Sequence, residues 1–328
     1  MQDYAKDTRT GLEEVERMDD NDVGLQTLNS FGQVHRLVNA SHYHARTRAA
    51  AQTLYNLRYD ENIPAFWSWA NPKNEPQWER VVNVDVIINT EIVLWAAVNG
   101  GKANYSAAAA RARADLGGAY QGWQDDSTWS RGQAWAMYGF TMVHRYLKKQ
   151  RFLEYAINTL SYFIDSLPDD NVPYADFDAP VDSDNPKDSS VTAIVTSALL
   201  ELFELIGEPS YLEKAQEFLS SLLLSSTYFD SLATDGWQAI LRNSAPAWGD
   251  EAVGPSPRTT FSWNRWVSGI FNIAEQVRYM TMAPSMILRD EVEASITDDQ
   301  LWVQFSGSDL DNNIDPSGPS EESPVIVW

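Results

Sequence analysis

The sequence predicts an all-α fold assembled from helical hairpins. Three observations carry that expectation: apolar residues recur at helical spacing as far as about residue 225, strand-like alternation is scarce, and the links between periodic segments are short. Val23 to Val38 opens the series, with Val23, Leu28, Phe31, Val34, Leu37 and Val38 as an inward stripe. Ser41 is placed to cap a helix running to about Leu57. Asp85 to Ala97 follows, with Ile87, Ile88, Ile92, Leu94 and Trp95, and an Ala-rich stretch then stops at Gly117-Gly118.

The pattern is clearest in the middle of the chain. Ser130 to Lys148 reads as a long helix, and Arg151 to Leu167 pairs with it before Pro168. Ser189 to Ile206 stops at Gly207-Glu208-Pro209, where Ser210 is placed to cap Tyr211 to Ser225. Short links force antiparallel neighbours, and repeated hairpins close into an α/α toroid or stack as a solenoid. No fixed period favours the solenoid. After Arg242 the pattern weakens. Trp263 to Met280 could make one more helix, and Ser306 to Pro324 has the composition of a disordered tail.

The formal charge of −22 disfavours nucleic acid as a partner and repels acidic sugars at long range, so a uronate ligand would need a local cation. Ten carboxylates and no Lys or Arg between Asp290 and Trp328 account for much of that imbalance. The absence of cysteine leaves no disulfide and no thiolate metal site. The four histidines, 35, 42, 44 and 144, lack ligand spacing, so no metal and no cofactor is expected. No apolar run is read as a membrane span, and the polar N-terminus is not a secretory leader, so a cytoplasmic product with no membrane partner is expected.

Gln121 to Phe140, QGWQDDSTWSRGQAWAMYGF, concentrates Trp123, Trp129 and Trp135 around a turn that enters a helix. Aromatic faces beside amide, guanidinium and carboxylate groups suit a sugar ring, whose face is apolar and whose edge is hydroxyls. In a chain with 13 tryptophans, three core residues explain the cluster equally well.

DDSTWSRGQAW, Asp125 to Trp135, resembles the most specific string of the unsaturated glucuronyl hydrolases, glycoside hydrolase family 88. NDVGL at 21–25, VNVDVIINTEIVLWAA at 82–97, PYADFDAP at 173–180, KDSSVTAI at 187–194 and GWQAILR at 236–242 resemble further family segments in the same order. The resemblance implies an (α/α)6 barrel over residues 1–285, incomplete at the N-terminus and around 98–120, followed by an acidic tail over 286–328. It implies Asp85 as general acid/base, Asp22 as the second carboxylate, Gln121, Arg131 and Trp135 as substrate contacts, and Trp69 as an aromatic wall. The implied substrate is an oligosaccharide ending in a 4,5-unsaturated uronic acid, released by hydration of the C4=C5 vinyl ether. An unsaturated rhamnogalacturonyl hydrolase and a catalytically impaired remnant are the alternatives; no oligomeric state is implied.

Plainer roles compete for several of these residues. An Asp at a helix start, such as Asp22 or Asp85, is ordinarily a cap or a dipole partner. Asp125, Asp126 and Asp188 read as caps, and Lys187 as a solvated cation. The chain also departs from the family pattern. It begins just before the Asp22 segment, joins the Asp85 helix to Gln121 by a short link without histidine, and lacks a closing Tyr-Gly-Asp-Tyr-Tyr stretch after Arg242.

Overall fold

In a computed structural model of the chain, the described residues are 21–32, 35, 41–62, 64–68, 82–102, 104–109, 121–124, 126–229, 241–245, 248–249, 292–297, 300–305 and 325–327. They fall into two compact units, Glu14–Phe271 and, separately, Met1–Glu13 with Asn272–Trp328. Trp69, Asp125, the 110–120 link, the 236–240 stretch and the 263–280 segment lie outside the described residues.

The larger unit is helical. Its elements are α1 (Val23–Thr27), continuing into a π-helical turn at Leu28–Gly32, α2 (Ser41–Arg58), α3 (Val86–Asn89), α4 (Glu91–Val98), α5 (Tyr105–Ala109), α6 (Ser130–Leu147), α7 (Gln150–Asp165), α8 (Ser189–Ile206) and α9 (Pro209–Leu223). A two-stranded ribbon, β1 (Tyr59–Asp60) and β2 (Ala65–Phe66), pairs Tyr59 with Phe66 and Asp60 with Ala65.

Two hairpins show why the sequence closes as an α/α shell. α6 packs on α7, α8 packs on α9, and α6 packs on α8. The outer helices each bury one stripe: Phe152, Ala156, Leu160 and Phe163 on α7, and Leu212, Ala215, Phe218 and Leu222 on α9. Those spacings of three and four residues define a single face. The inner helix α8 is buried nearly all round, from Ser189 through Leu202 with only Ser197 less enclosed. Each fully buried Leu, Ile or Phe contributes about 1.5–3 kcal/mol through loss of water-exposed apolar surface. The hairpin turns are tight because one residue after each inner helix is left-handed: Lys148 at φ 52° and Gly207 at φ 78°. Gly207 takes that conformation without steric cost.

Charged groups also cross the inner helices. Arg145 in the last turn of α6 pairs with Glu91 on α4 and, at 2.8 Å, with Glu201 on α8. Tyr138 donates to Glu91 at 3.0 Å. The two carboxylates hold the Arg145 guanidinium charged despite the opposing effect of burial.

Several expected element ends differ. Of the helix expected over Val23–Val38, Val23–Gly32 forms α1 plus the π turn and His35 is helical, the rest lying outside the described residues; the helix expected over Asp85–Ala97 breaks at Thr90, whose hydroxyl bonds the Ile87 carbonyl at 2.7 Å. That local bond competes with the helical ladder. Ser41 is already inside α2, and α9 starts at Pro209 with Glu208 at its N-cap, so Ser210 is not a cap. Proline is pre-organised for a first helical position. α6 has Trp129 at its N-cap, not Asp125 or Asp126.

α8 corrects a further expectation: by length and composition it is apolar enough to cross a membrane, although its side chains are mostly buried within the protein. In the smaller unit, β3 (Val292–Thr297), β4 (Gln300–Phe305) and β5 (Val325–Val327) form an antiparallel sheet in the order β3-β4-β5. Residues 306–324, read from composition as a disordered tail, lie outside the described residues.

Candidate active site

Two acidic residues begin two short helices, and neither acts as a cap. Asp22 precedes α1 and Asp85 precedes α3, yet neither side chain accepts a capping hydrogen bond. A capping hydrogen bond therefore does not account for the Asp at either position. Asp188, in contrast, does cap: it accepts from the Ser190 backbone N–H at 3.2 Å and from the Ser190 hydroxyl at 2.6 Å.

Two glycines bring the acidic segments together. A Cβ on Gly24 would overlap the Asn89 carbonyl, and a Cβ on Gly139 would overlap the Ile87 side chain. α1 and α6 therefore press on α3 from two sides at backbone distance. Within that clamp, Asn89 Nδ2 donates to Asp22 Oδ1 at 3.2 Å and lies 3.5 Å from the Asp85 carbonyl. Asn89 Oδ1 accepts the Leu25 backbone N–H at 2.9 Å. Asp22 Oδ1 also accepts from Asn21 Nδ2 at 2.8 Å.

The two carboxyl groups have different surroundings. Asp22 accepts two amide N–H bonds through Oδ1. Asp85 is buried; its Oδ2 accepts from Asn83 Nδ2 at 3.1 Å, while its Oδ1 is enclosed without a hydrogen-bond partner. Burial pushes the Asp85 carboxyl up to about 7, against the opposing effects of the Arg131 charge and the Asn83 hydrogen bond. The chief cause is desolvation.

Arg131 is buried, with Nε 2.9 Å and Nη2 2.7 Å from Asp188 Oδ2, and Nη2 also donates to the Ala245 carbonyl at 2.9 Å. It ties α6 to the start of α8 and to the 244–245 segment, while its field still reaches Asp85. Trp135 lies one turn along α6 and is also buried.

Gln121 is half-buried, and its carbonyl accepts from the Trp248 backbone N–H at 2.9 Å. Its turn is held by Asp176, which accepts from the Trp123 N–H at 2.9 Å, the Ser127 hydroxyl at 2.7 Å and the Asp178 N–H at 2.9 Å. Asn185 locks that loop, donating to the Asp176 carbonyl at 2.9 Å. Lys187, expected in solvent, bonds Asp170 and the Val172 carbonyl, each at 2.8 Å, and lies over the Tyr174 ring. Asn21, Asn83, Asn89 and Asp176 were not singled out from the sequence. Among the described residues, no group of three or more His, Cys, Asp or Glu could hold a metal ion.

The chain is 31% identical over 230 residues to an unsaturated glucuronyl hydrolase of Formosa agariphila, covering 62% of this chain and 57% of that protein. It is 30% identical over 227 residues to an unsaturated glucuronyl hydrolase of Bacillus sp. (strain GL1), covering 61% and 59%. The chain is similar to the unsaturated glucuronyl hydrolases. It spans a little over half the length of these relatives, and no protein-family model matches it.

Solved structures agree on the fold. A heparin-specific unsaturated glucuronyl hydrolase superposes with a TM-score of 0.67 at 23% identity, covering 81% of this chain and 78% of that one. A mutant enzyme from Streptococcus agalactiae, solved complexed with dGlcA-GalNAc6S, gives a TM-score of 0.58 at 18% identity, covering 84% and 74%. The architecture is an all-α, incomplete (α/α)6 barrel.

Proposed function

We propose that the protein is a glycoside hydrolase that releases 4,5-unsaturated uronic acid from the non-reducing end of lyase-generated oligosaccharides. One observation carries the reading: the Asn89 amide links the segment of a buried, incompletely hydrogen-bonded Asp85 to Asp22, whose carboxylate receives two amide donors, and neither acidic side chain accepts a capping bond. Paired carboxyls in unlike environments separate an acid from an anion at neutral pH. The ligand carried by the Streptococcus agalactiae relative supports an unsaturated uronyl terminus as the substrate.

In this reading Asp85 in its acid form delivers a proton to C4 of the vinyl ether, and positive charge develops at C5. Asp22, ionised, stabilises that charge. Water adds its oxygen at C5 and returns a proton to the Asp85 carboxylate, so the net reaction consumes one water. The C5 hemiketal then opens to a ketone, which frees the anomeric centre and releases the remaining sugar. General acid–base catalysis of this kind contributes roughly 10²–10⁴-fold. Gln121 and Trp135 would contact the uronate ring, and Trp69 would supply an aromatic wall. Arg131 would act chiefly as an electrostatic neighbour of Asp85.

The test is loss of ultraviolet absorbance of the conjugated double bond with unsaturated glycosaminoglycan disaccharides. Turnover by the wild type and none by Asp85→Asn is expected. No absorbance loss with any unsaturated disaccharide would make the protein a non-catalytic relative.

A further inference from the structure

Asn89 joins the two acidic segments through side-chain bonds that leave its amide one orientation. The Leu25 backbone N–H can only donate, so the oxygen it meets is Oδ1; Nδ2 then faces Asp22. Asn89 is fully buried, and the carbonyl of the same residue abuts Gly24, so the amide has little room to swing. An asparagine inside a helix is intrinsically unfavourable, and a buried amide is tolerated only when bonded on both sides. Asn21 and Asn89 both meet Oδ1 of Asp22, which together sets the twist of that carboxylate.

We propose that Asn89 is a positioning residue: its amide, anchored by the Leu25 N–H, fixes the orientation of the Asp22 carboxylate. The inference rests on the reading of Asp22 and Asp85 as the working pair. Asn89 touches no reacting atom and acts through Asp22. A misplacement of about 1 Å in such a group costs up to roughly 100-fold in rate.

Two variants test this. Asn89→Asp keeps an oxygen for the Leu25 N–H and replaces the donor to Asp22 by an acceptor; Asn89→Ser removes Nδ2 with a smaller side chain. Crystal structures and steady-state kinetics of both are compared with the wild type. The expected result is an Asp22 carboxylate turned from its wild-type orientation, with kcat lowered by up to about 100-fold and KM little changed. A merely structural role predicts a lower melting temperature with kcat per folded molecule unchanged. A folded variant that keeps the wild-type Asp22 orientation, or the wild-type kcat, overturns the proposal. If the wild type itself turns over no unsaturated disaccharide, the proposed function falls, and the crystallographic orientation of Asp22 alone decides the role of Asn89.

Discussion

Gly139 on α6 lies against Ile87 on α3 with no space for a Cβ between them. The Asp85 turn is seated directly on an inner helix of the barrel, and that contact sets the depth at which the acid is buried.

Gly139→Ala should therefore destabilise the protein by about 1–3 kcal/mol through overpacking, and should lower kcat by displacing Asp85. Gly207→Ala is the control. Its strain arises from φ 78° with open space around it, so it should cost about 1 kcal/mol and leave kcat unchanged. Urea denaturation and disaccharide turnover on both variants decide the matter; equal kcat losses would contradict the contact's role.

Asp85→Asn should abolish turnover yet stabilise the fold above neutrality. The native carboxyl lies at about 7 against an ordinary 3.8, so between those pH values the folded protein holds a proton that the unfolded chain has released. Stability contributed by this group is complete below about pH 4 and is lost as pH rises through 7. At about 1.4 kcal/mol per unit, the loss approaches about 4 kcal/mol. Thermal melts at pH 4 and pH 8 should show the variant close to wild type at the first and above it at the second. Identical melting at both would place the Asp85 acid in water.

The pH–activity curve should fall on its basic side as Asp85 ionises, near 7. The Arg131 charge favours the Asp85 anion, so Arg131→Met should move that limb to higher pH. The same substitution strands Asp188 without its buried cation and should cost about 3–5 kcal/mol. A limb that stays in place would show that the Arg131 field does not reach the acid.

Arg145→Met should destabilise the barrel by about 3–5 kcal/mol, because Glu91 and Glu201 lose the cation between them. Arg145 lies about 21 Å along α6 from Arg131 at 1.5 Å per residue. The kcat of the folded fraction at low temperature should match wild type. A large kcat loss without loss of stability would tie this ion cluster to the chemistry.

Helical period alone revealed α6, α7, α8 and α9, because each carries a long apolar stripe, and α8 also stops at Gly207, a residue suited to a turn. It misjudged α3 and α4, where the Thr90 hydroxyl bonds the Ile87 carbonyl at a break in a pattern whose apolar positions run on unaltered. Asp22 and Asp85 stood out only through the family string, since the identity of an acid at a helix start does not disclose whether it caps. The asparagines around them were missed for a similar reason: their meaning lies in which atoms face each other across 64 to 67 positions of chain. Strands β3 and β4 were lost in the acidic composition of the surrounding segment, although VEASIT and QLWVQF contain β-branched and aromatic residues suited to strands.

Asp176 collects amide hydrogens from Trp123, Asp178 and Ala179 on one carboxylate. The turn bearing Gln121 and the loop at 176–185 are thereby yoked, and a shift of either drags the other. A ligand that nudges Gln121 must move both loops as a single flap, which favours guests whose outline already matches the resting contour.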